Sequence, residues 1–104
     1  MSDVALLYVT FPGVAEARQV AETVLAERLA ACVNILAPCT SIYRWQGAIE
    51  HSDEVPALFK TSLQLTGRLR SRIEALHPYD LPAIESWPAA AATSLSDWIA
   101  AETG

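Results

Sequence analysis

The chain has 104 residues, 52% of them apolar and only 18% charged, with a formal net charge of −5. That acidic balance excludes the nucleic-acid binders that depend on a basic face, and no apolar run is long enough to span a bilayer. The opening Met1-Ser2-Asp3 places an acid where a secretion signal carries a base, so the expectation is a cytoplasmic chain forming one domain over residues 1–104.

Residues 4–11, VALLYVTF, make an unbroken β-favouring run that predicts a strand buried on both faces. Pro12-Gly13 ends it. Over 14–30, Ala17, Val20, Ala21, Val24 and Leu25 fall on one face of an amphipathic helix, with Glu16, Arg18, Gln19, Glu22 and Glu27 elsewhere. Residues 32–38 predict a second apolar strand. Residues 41–50, rich in Ile, Tyr and Trp, predict a third, in which Gly47 reads as a bulge or a close backbone approach. His51-Ser52-Asp53 predicts a turn, and the acids around it, Glu50, Asp53 and Glu54, a solvated hairpin tip. Residues 54–62 return as a strand, with Pro56 expected at its start or on an edge because proline donates no ladder hydrogen bond. Leu65, Leu69, Ile73 and Leu76 stripe a helix over 63–77 that Pro78 stops. A short strand over 83–88 follows. After the alanine tract 89–92 comes a last helix with Leu95, Trp98 and Ile99 as its apolar face and Ser94 and Asp97 spaced as a capping box.

This order reads as β-α-β-β-α-β plus a C-terminal helix, an α+β, ferredoxin-like fold with an antiparallel sheet. The strands are apolar on both faces: in the first, Leu6 and Tyr8 alternate with Leu7 and Val9. Two helices cover one face, and the third is too short to cover the other. A second copy of the chain is the economical cover, so a homo-oligomer is expected.

Few residues offer chemistry. His77 and Tyr79 are held between Pro78 and Pro82. A histidine ending a helix commonly serves the helix dipole; the sharper reading is a metal ligand or proton carrier. Cys32 is either a small buried hydrophobe or a soft ligand for copper or zinc. Cys39, in a predicted loop, is the more exposed thiol. The spacing of the two cysteines is no zinc motif, and in a reducing compartment both are free. Trp45 and Glu50 flank Gly47. Lys60 stands in an otherwise apolar strand, as an edge charge or a snorkelling side chain, as the ion-pair partner of Glu50 or Glu85, or as an anion-binding ammonium in a cleft. There is no nucleophile elbow, phosphate loop, dinucleotide fingerprint or zincin motif, so no catalytic residue and no organic cofactor is expected.

Four segments, ERLAACVNI (27–35), SIYRWQGAIE (41–50), EVPALFKT (54–61) and LHPYDLPAI (76–84), resemble the CutA divalent-cation tolerance family, in order and over nearly the whole chain. The resemblance implies a ferredoxin-like homotrimer whose long hairpin reaches a neighbour, similar in shape to the PII signalling proteins that bind effectors between subunits. It implies a role in tolerance of divalent metals, copper foremost. Carried to matching positions, it implies a cleft of Trp45, Glu50, Lys60 and Tyr79, open to a small anionic ligand, and metal ligation by His77 and Cys32. Thr10 stands where some relatives have a cysteine and Leu76 where some have a second histidine, which leaves His77, Cys32 and carboxylates to hold a metal. A purely structural trimeric scaffold is the remaining alternative.

Overall fold

A computed structural model describes residues 2–104. In chain order the elements are β1 (Ser2–Phe11), α1 (Val14–Ala26), β2 (Cys32–Ile35), β3 (Cys39–Trp45), β4 (Ala48–Thr61), α2 (Thr66–Leu76), β5 (Ile84–Ala91) and α3 (Thr93–Glu102), with a 3-10 turn over Leu63–Leu65 leading into α2. The strands lie in the order β2-β4-β1-β5, and β3 continues along the first half of β4. Every pairing is antiparallel. Hence β1 and β2 run the same way with β4 between them, and β4 and β5 do so with β1 between them. The fold is α+β.

Alternation along β1 separates the two faces of the sheet. Ala5, Leu7, Val9 and Phe11 point toward α1 and α2, where Val20 and Val24 from α1 and Leu69 and Ile73 from α2 close the main core. The register places Leu7 opposite Phe59 and Val9 opposite Ala57 on the same side. Leu7, Val9, Phe11 and Phe59 are fully buried, and burial of such side chains contributes about 1.5–3 kcal/mol each. The other face carries Leu6, Tyr8 and Thr10 from β1, Leu58 and Lys60 from β4 and Trp87 and Glu85 from β5, aligned by the same register. α3 covers one end of it through Val4, Ala91 and Ile99. Arg28 holds α3 there, donating to the carbonyls of Ala101 at 2.8 Å and Gly104 at 3.1 Å while its own carbonyl accepts the Gly104 N–H. The rest of that face stays open, with Leu6, Tyr8 and Leu58 half-buried and Trp87 exposed.

Several local expectations are corrected. The three strands predicted over 32–38, 41–50 and 54–62 are present as β2, β3 and β4, one more than the β-α-β-β-α-β order counts between its helices, because the chain leaves the sheet at residues 36–38 and re-enters it as β3. The turn falls at Gln46-Gly47 rather than at 51–53. Both residues are left-handed, at φ 50° and 84°, as a two-residue hairpin turn requires, and Trp45 pairs directly with Ala48. His51, Ser52 and Asp53 are therefore inside β4, opposite Ile42, Ser41 and Thr40.

Pro56 is at neither end of β4. Its carbonyl accepts the Leu36 N–H at 2.9 Å, so its missing N–H faces that same side, where β2 has ended and β3 has not begun. The alanine tract joins β5 as far as Ala91, because pairing with Ser2, Asp3 and Val4 outweighs helix propensity. Ser94 does not cap α3: Ala92 holds the N-cap position and no side chain bonds there.

Candidate functional site

His77 follows the last turn of α2, where its own N–H still bonds to the Ile73 carbonyl at 2.8 Å. Extended backbone at His77, set by the following proline, turns the imidazole back onto β1. The ring stacks on Phe11 with centroids 4.7 Å apart. Its Nε2 lies 2.8 Å from the Thr10 carbonyl, and its Nδ1 accepts the Tyr79 N–H at 3.2 Å. A carbonyl only accepts and a backbone N–H only donates, so the two partners fix the neutral tautomer with the proton on Nε2. The side chain is buried and both nitrogens are engaged with backbone.

Tyr79, oriented by that contact and tilted against the imidazole at 4.8 Å, donates its hydroxyl to Glu54 Oε2 at 3.0 Å. Burial, then the bond to Glu54, pushes the Tyr79 hydroxyl up to about 12. Glu54 is only 8% exposed, because alternation along β4 puts it on the open sheet face rather than at a hairpin tip. Around this pair opens a cleft of about 780 Å³, within the usual range for small-molecule sites. Tyr8 and Thr10 line it from β1, Glu85 from β5, Ser41, Ile42, Tyr43 and Trp45 from β3, and Pro78 to Leu81 from the loop after α2. Burial first, then the charges of Cys39, Glu85 and Glu54, raise the Tyr8 hydroxyl above its ordinary value.

Of the four expected cleft residues, the structure brings Trp45 and Tyr79 together and leaves Glu50 and Lys60 out of the lining. Glu50 is exposed, opposite Tyr43. Lys60 is ten residues further along β4, about 34 Å away by strand rise, half-buried between Leu6 and Cys32 in the register. It therefore does not pair with Glu50, and among the described residues it makes no ion pair at all.

The expected metal pair is also separated. Cys32 lies opposite Lys60, while His77 bonds to Thr10, which is opposite Pro56. Four residues of β4, about 14 Å, lie between those levels, and His77 packs on the core side while Cys32 lies on the open face. Among the described residues no three His, Cys, Asp or Glu side chains converge on a point that could hold a metal ion. Cys39 begins β3 rather than lying in a loop, and both thiols are free and half-buried. Sequence reasoning missed Tyr8, Tyr43, Asp80 and Leu81 and misplaced Glu54. The signal that could have found Glu54 is its even spacing from Lys60, which puts both on one strand face.

The family model of the CutA1 divalent ion tolerance protein matches residues 5–102. The divalent-cation tolerance protein CutA of Thermus thermophilus is 42% identical over 105 residues, covering the whole of both chains. The crystal structure of CutA from Xylella fastidiosa superposes with a TM-score of 0.94 at 36% identity, covering 99% of this chain and 100% of that one. The Archaeoglobus fulgidus structure, described as a periplasmic divalent cation tolerance protein, does so with a TM-score of 0.91 at 33% identity, covering 95% and 97%. Among the described residues of this chain no helix is long and apolar enough to cross a membrane. With the family model spanning nearly all of the sheet and helices, the chain belongs to the CutA1 divalent ion tolerance family.

Proposed function

We propose that this chain is a non-catalytic, homotrimeric divalent-cation response module that holds copper at its subunit boundaries. Its frame is ferredoxin-like if β2 and β3 are counted as one strand interrupted at residues 36–38 along β4, which leaves β-α-β-β-α-β. The observation that carries the reading is the open sheet face, where Leu6, Tyr8, Leu58 and Trp87 stand beyond the reach of α3. Apolar surface of this kind marks an interface, and further copies of the chain are its most economical cover. Cys32 lies on that face, so a neighbouring subunit would bring additional donors to its sulfur. Affinity for the divalent first-row metals at a site of that kind rises to its maximum at copper. His77, with both nitrogens bonded to backbone, stays outside it.

Light scattering and copper(II) calorimetry on one sample test this together. The expected result is a three-chain mass with saturable binding that Cys32→Ser loses and His77→Phe keeps. A one-chain mass, or copper binding equal in Cys32→Ser, would overturn the reading. A small anionic ligand is the second reading, favoured by the half-buried ammonium of Lys60 on the same face, which makes no ion pair among the described residues. Heat on adding phosphate or nucleotides that vanishes in Lys60→Ala supports it, and a flat trace removes it. A trimer responding to neither is a structural scaffold.

A further inference from the structure

The chain is acidic overall, yet its positive charge is concentrated. Three of its seven lysines and arginines, Arg68, Arg70 and Arg72, fall within five residues of α2, where the only carboxylate is Glu74. They line an open groove of about 690 Å³, together with Gln64, Ser71 and, from the loop after α1, Leu29. Arg68, Arg70 and Ser71 are exposed and Arg72 is half-buried. Because α2 turns Leu69 and Ile73 into the main core, the groove belongs to the helix layer. It lies across the sheet from the apolar face that further copies of the chain would cover, and an assembly built on that face leaves it free.

The charges run against the helix. Arg68 stands in the first turn of α2, which holds no acidic residue, and the last turn holds no basic one. The helix dipole favours the opposite order, so helix stability does not account for arginines there, whereas an anionic partner does. Arg72, independently, already grips a carboxylate. Its Nε and Nη2 donate to the two oxygens of Glu27 at 2.9 Å each, the fork-on-fork geometry in which guanidinium recognises carboxylate. Both side chains are partly exposed, so a second carboxylate can displace the first. Arg70 is held only loosely by Glu74, at 3.6 Å, and among the described residues Arg68 makes no ion pair.

Spacing decides the occupant. Arg68 and Arg72 are one turn apart, about 6 Å along the axis. Carboxylates on alternate residues of an extended chain are about 6.8 Å apart and point the same way. The eleven residues of α2, about 16 Å long, seat about five residues of such a chain, with Gln64 and Ser71 available to its backbone. An open groove gives a compact anion no enclosure, and a nucleic acid needs a broader basic face than one helix on an acidic chain. We propose that the α2 groove docks an extended acidic segment of a partner protein, with carboxylates at alternate positions seated on Arg68 and Arg72. Glu27 occupies the fork of Arg72 in the free chain and gives way on docking. The surface is separate from Cys32 and Lys60 and does not depend on where metal binds.

The test is fluorescence anisotropy on the full chain in its native assembly at low salt, with end-labelled Glu-Val-Glu-Val-Glu as the probe. Saturable binding is expected, weakening as salt rises. It should be at least fivefold tighter than for Glu-Glu-Val-Val-Glu, which has the same composition without the alternate spacing, and absent for Gln-Val-Gln-Val-Gln. Arg68→Gln, at an exposed position that the fold does not rest on, should weaken it about tenfold, as the loss of one charge-assisted contact predicts. Glu27→Gln should strengthen it about threefold by freeing Arg72, while Glu22→Gln, which removes the same charge from the exposed side of α1, should leave it unchanged. Cys32→Ser and Lys60→Ala should bind the peptide as the unaltered chain does while abolishing the copper or anion response, which keeps this inference distinct from the proposed function. The inference is overturned by the absence of saturable binding, by equal affinity in Arg68→Gln or for the rearranged peptide, or by tighter binding of tripolyphosphate or single-stranded RNA, which would make the groove a phosphate site.

Discussion

If His77 is a structural residue, removing its ring should cost stability by an amount the geometry sets. The imidazole bridges the Thr10 carbonyl and the Tyr79 amide and stacks on Phe11. His77→Ala loses two hydrogen bonds worth about 1 kcal/mol each net. The vacated space against Phe11 adds about 1–2 kcal/mol, for a total of about 3 kcal/mol. His77→Phe refills the ring position but leaves the carbonyl and the amide without partners, which should cost about 2 kcal/mol. Urea unfolding followed by tryptophan fluorescence reads both, at one fixed protein concentration so that any subunit assembly contributes equally. On heating, the alanine variant should melt roughly 15 °C lower. Nitrogen NMR of the imidazole supplies an independent check: Nε2 protonated, Nδ1 bare, and no change on adding copper. A cost below about 1 kcal/mol in both variants, or a proton found on Nδ1, would refute the bridging role and return His77 to the list of metal ligands.

Alkali should act through Tyr79. Its folded value of about 12 exceeds the ordinary 10.0, so the stabilisation is complete below pH 10 and is lost as pH rises toward 12, where the unfolded chain releases the proton first. Tyr79→Phe should flatten that limb of the stability curve and remove a late-ionising phenol from the ultraviolet titration; a limb of unchanged slope would contradict the assignment. In the hairpin, Gly47→Ala should cost about 1 kcal/mol because φ there is 84°, and Gln46→Asn should gain a few tenths because asparagine accepts the left-handed conformation; thermal melts decide both. Arg72 holds Glu27 through two 2.9 Å bonds, lowering the Glu27 carboxyl chiefly by hydrogen bonding. Both groups are partly exposed, so Arg72→Ala should cost little, and any cost should shrink in high salt. A salt-independent loss would place the packing of Arg72, not its charge, in that role.

Most elements were legible because their signals are local. Ala17, Val20, Ala21 and Val24 recur at helical spacing and are the buried residues of α1, while Leu25, assigned to the same stripe, falls on its exposed edge. Where the reading failed, a non-local partner decided the outcome. Gln46-Gly47 is a weaker turn signal than Asn-Gly, and the polar run 51–53 imitated a turn; only pairing with β3 shows it to be strand. Pro56 read as an edge marker, and in a sense it is one, since it occupies the single stretch of β4 where the partner strand changes. The alanine tract follows β1 for the same kind of reason.

The site was legible only in its parts, and the physical cause is the length of β4. Fourteen residues carry one alternating face past β2 and β1 and out along β3, so Lys60, Glu54 and Glu50 have one strand in common and yet three different surroundings. A motif read along the chain groups them; a strand rise of about 3.4 Å per residue distributes them. The cleft is instead assembled across the sheet, from β1, β3, β4, β5 and the loop after α2, at positions no sequence spacing connects. His77 is the hinge between the two descriptions. It stood out as a chemical group, but the proline after it turns the ring inward, and its work is to set Tyr79 at the distance where the phenol reaches Glu54. What the His-Pro-Tyr segment builds is therefore a protonated hydroxyl locked onto a buried carboxylate, a wall of the cleft that neither residue alone could make.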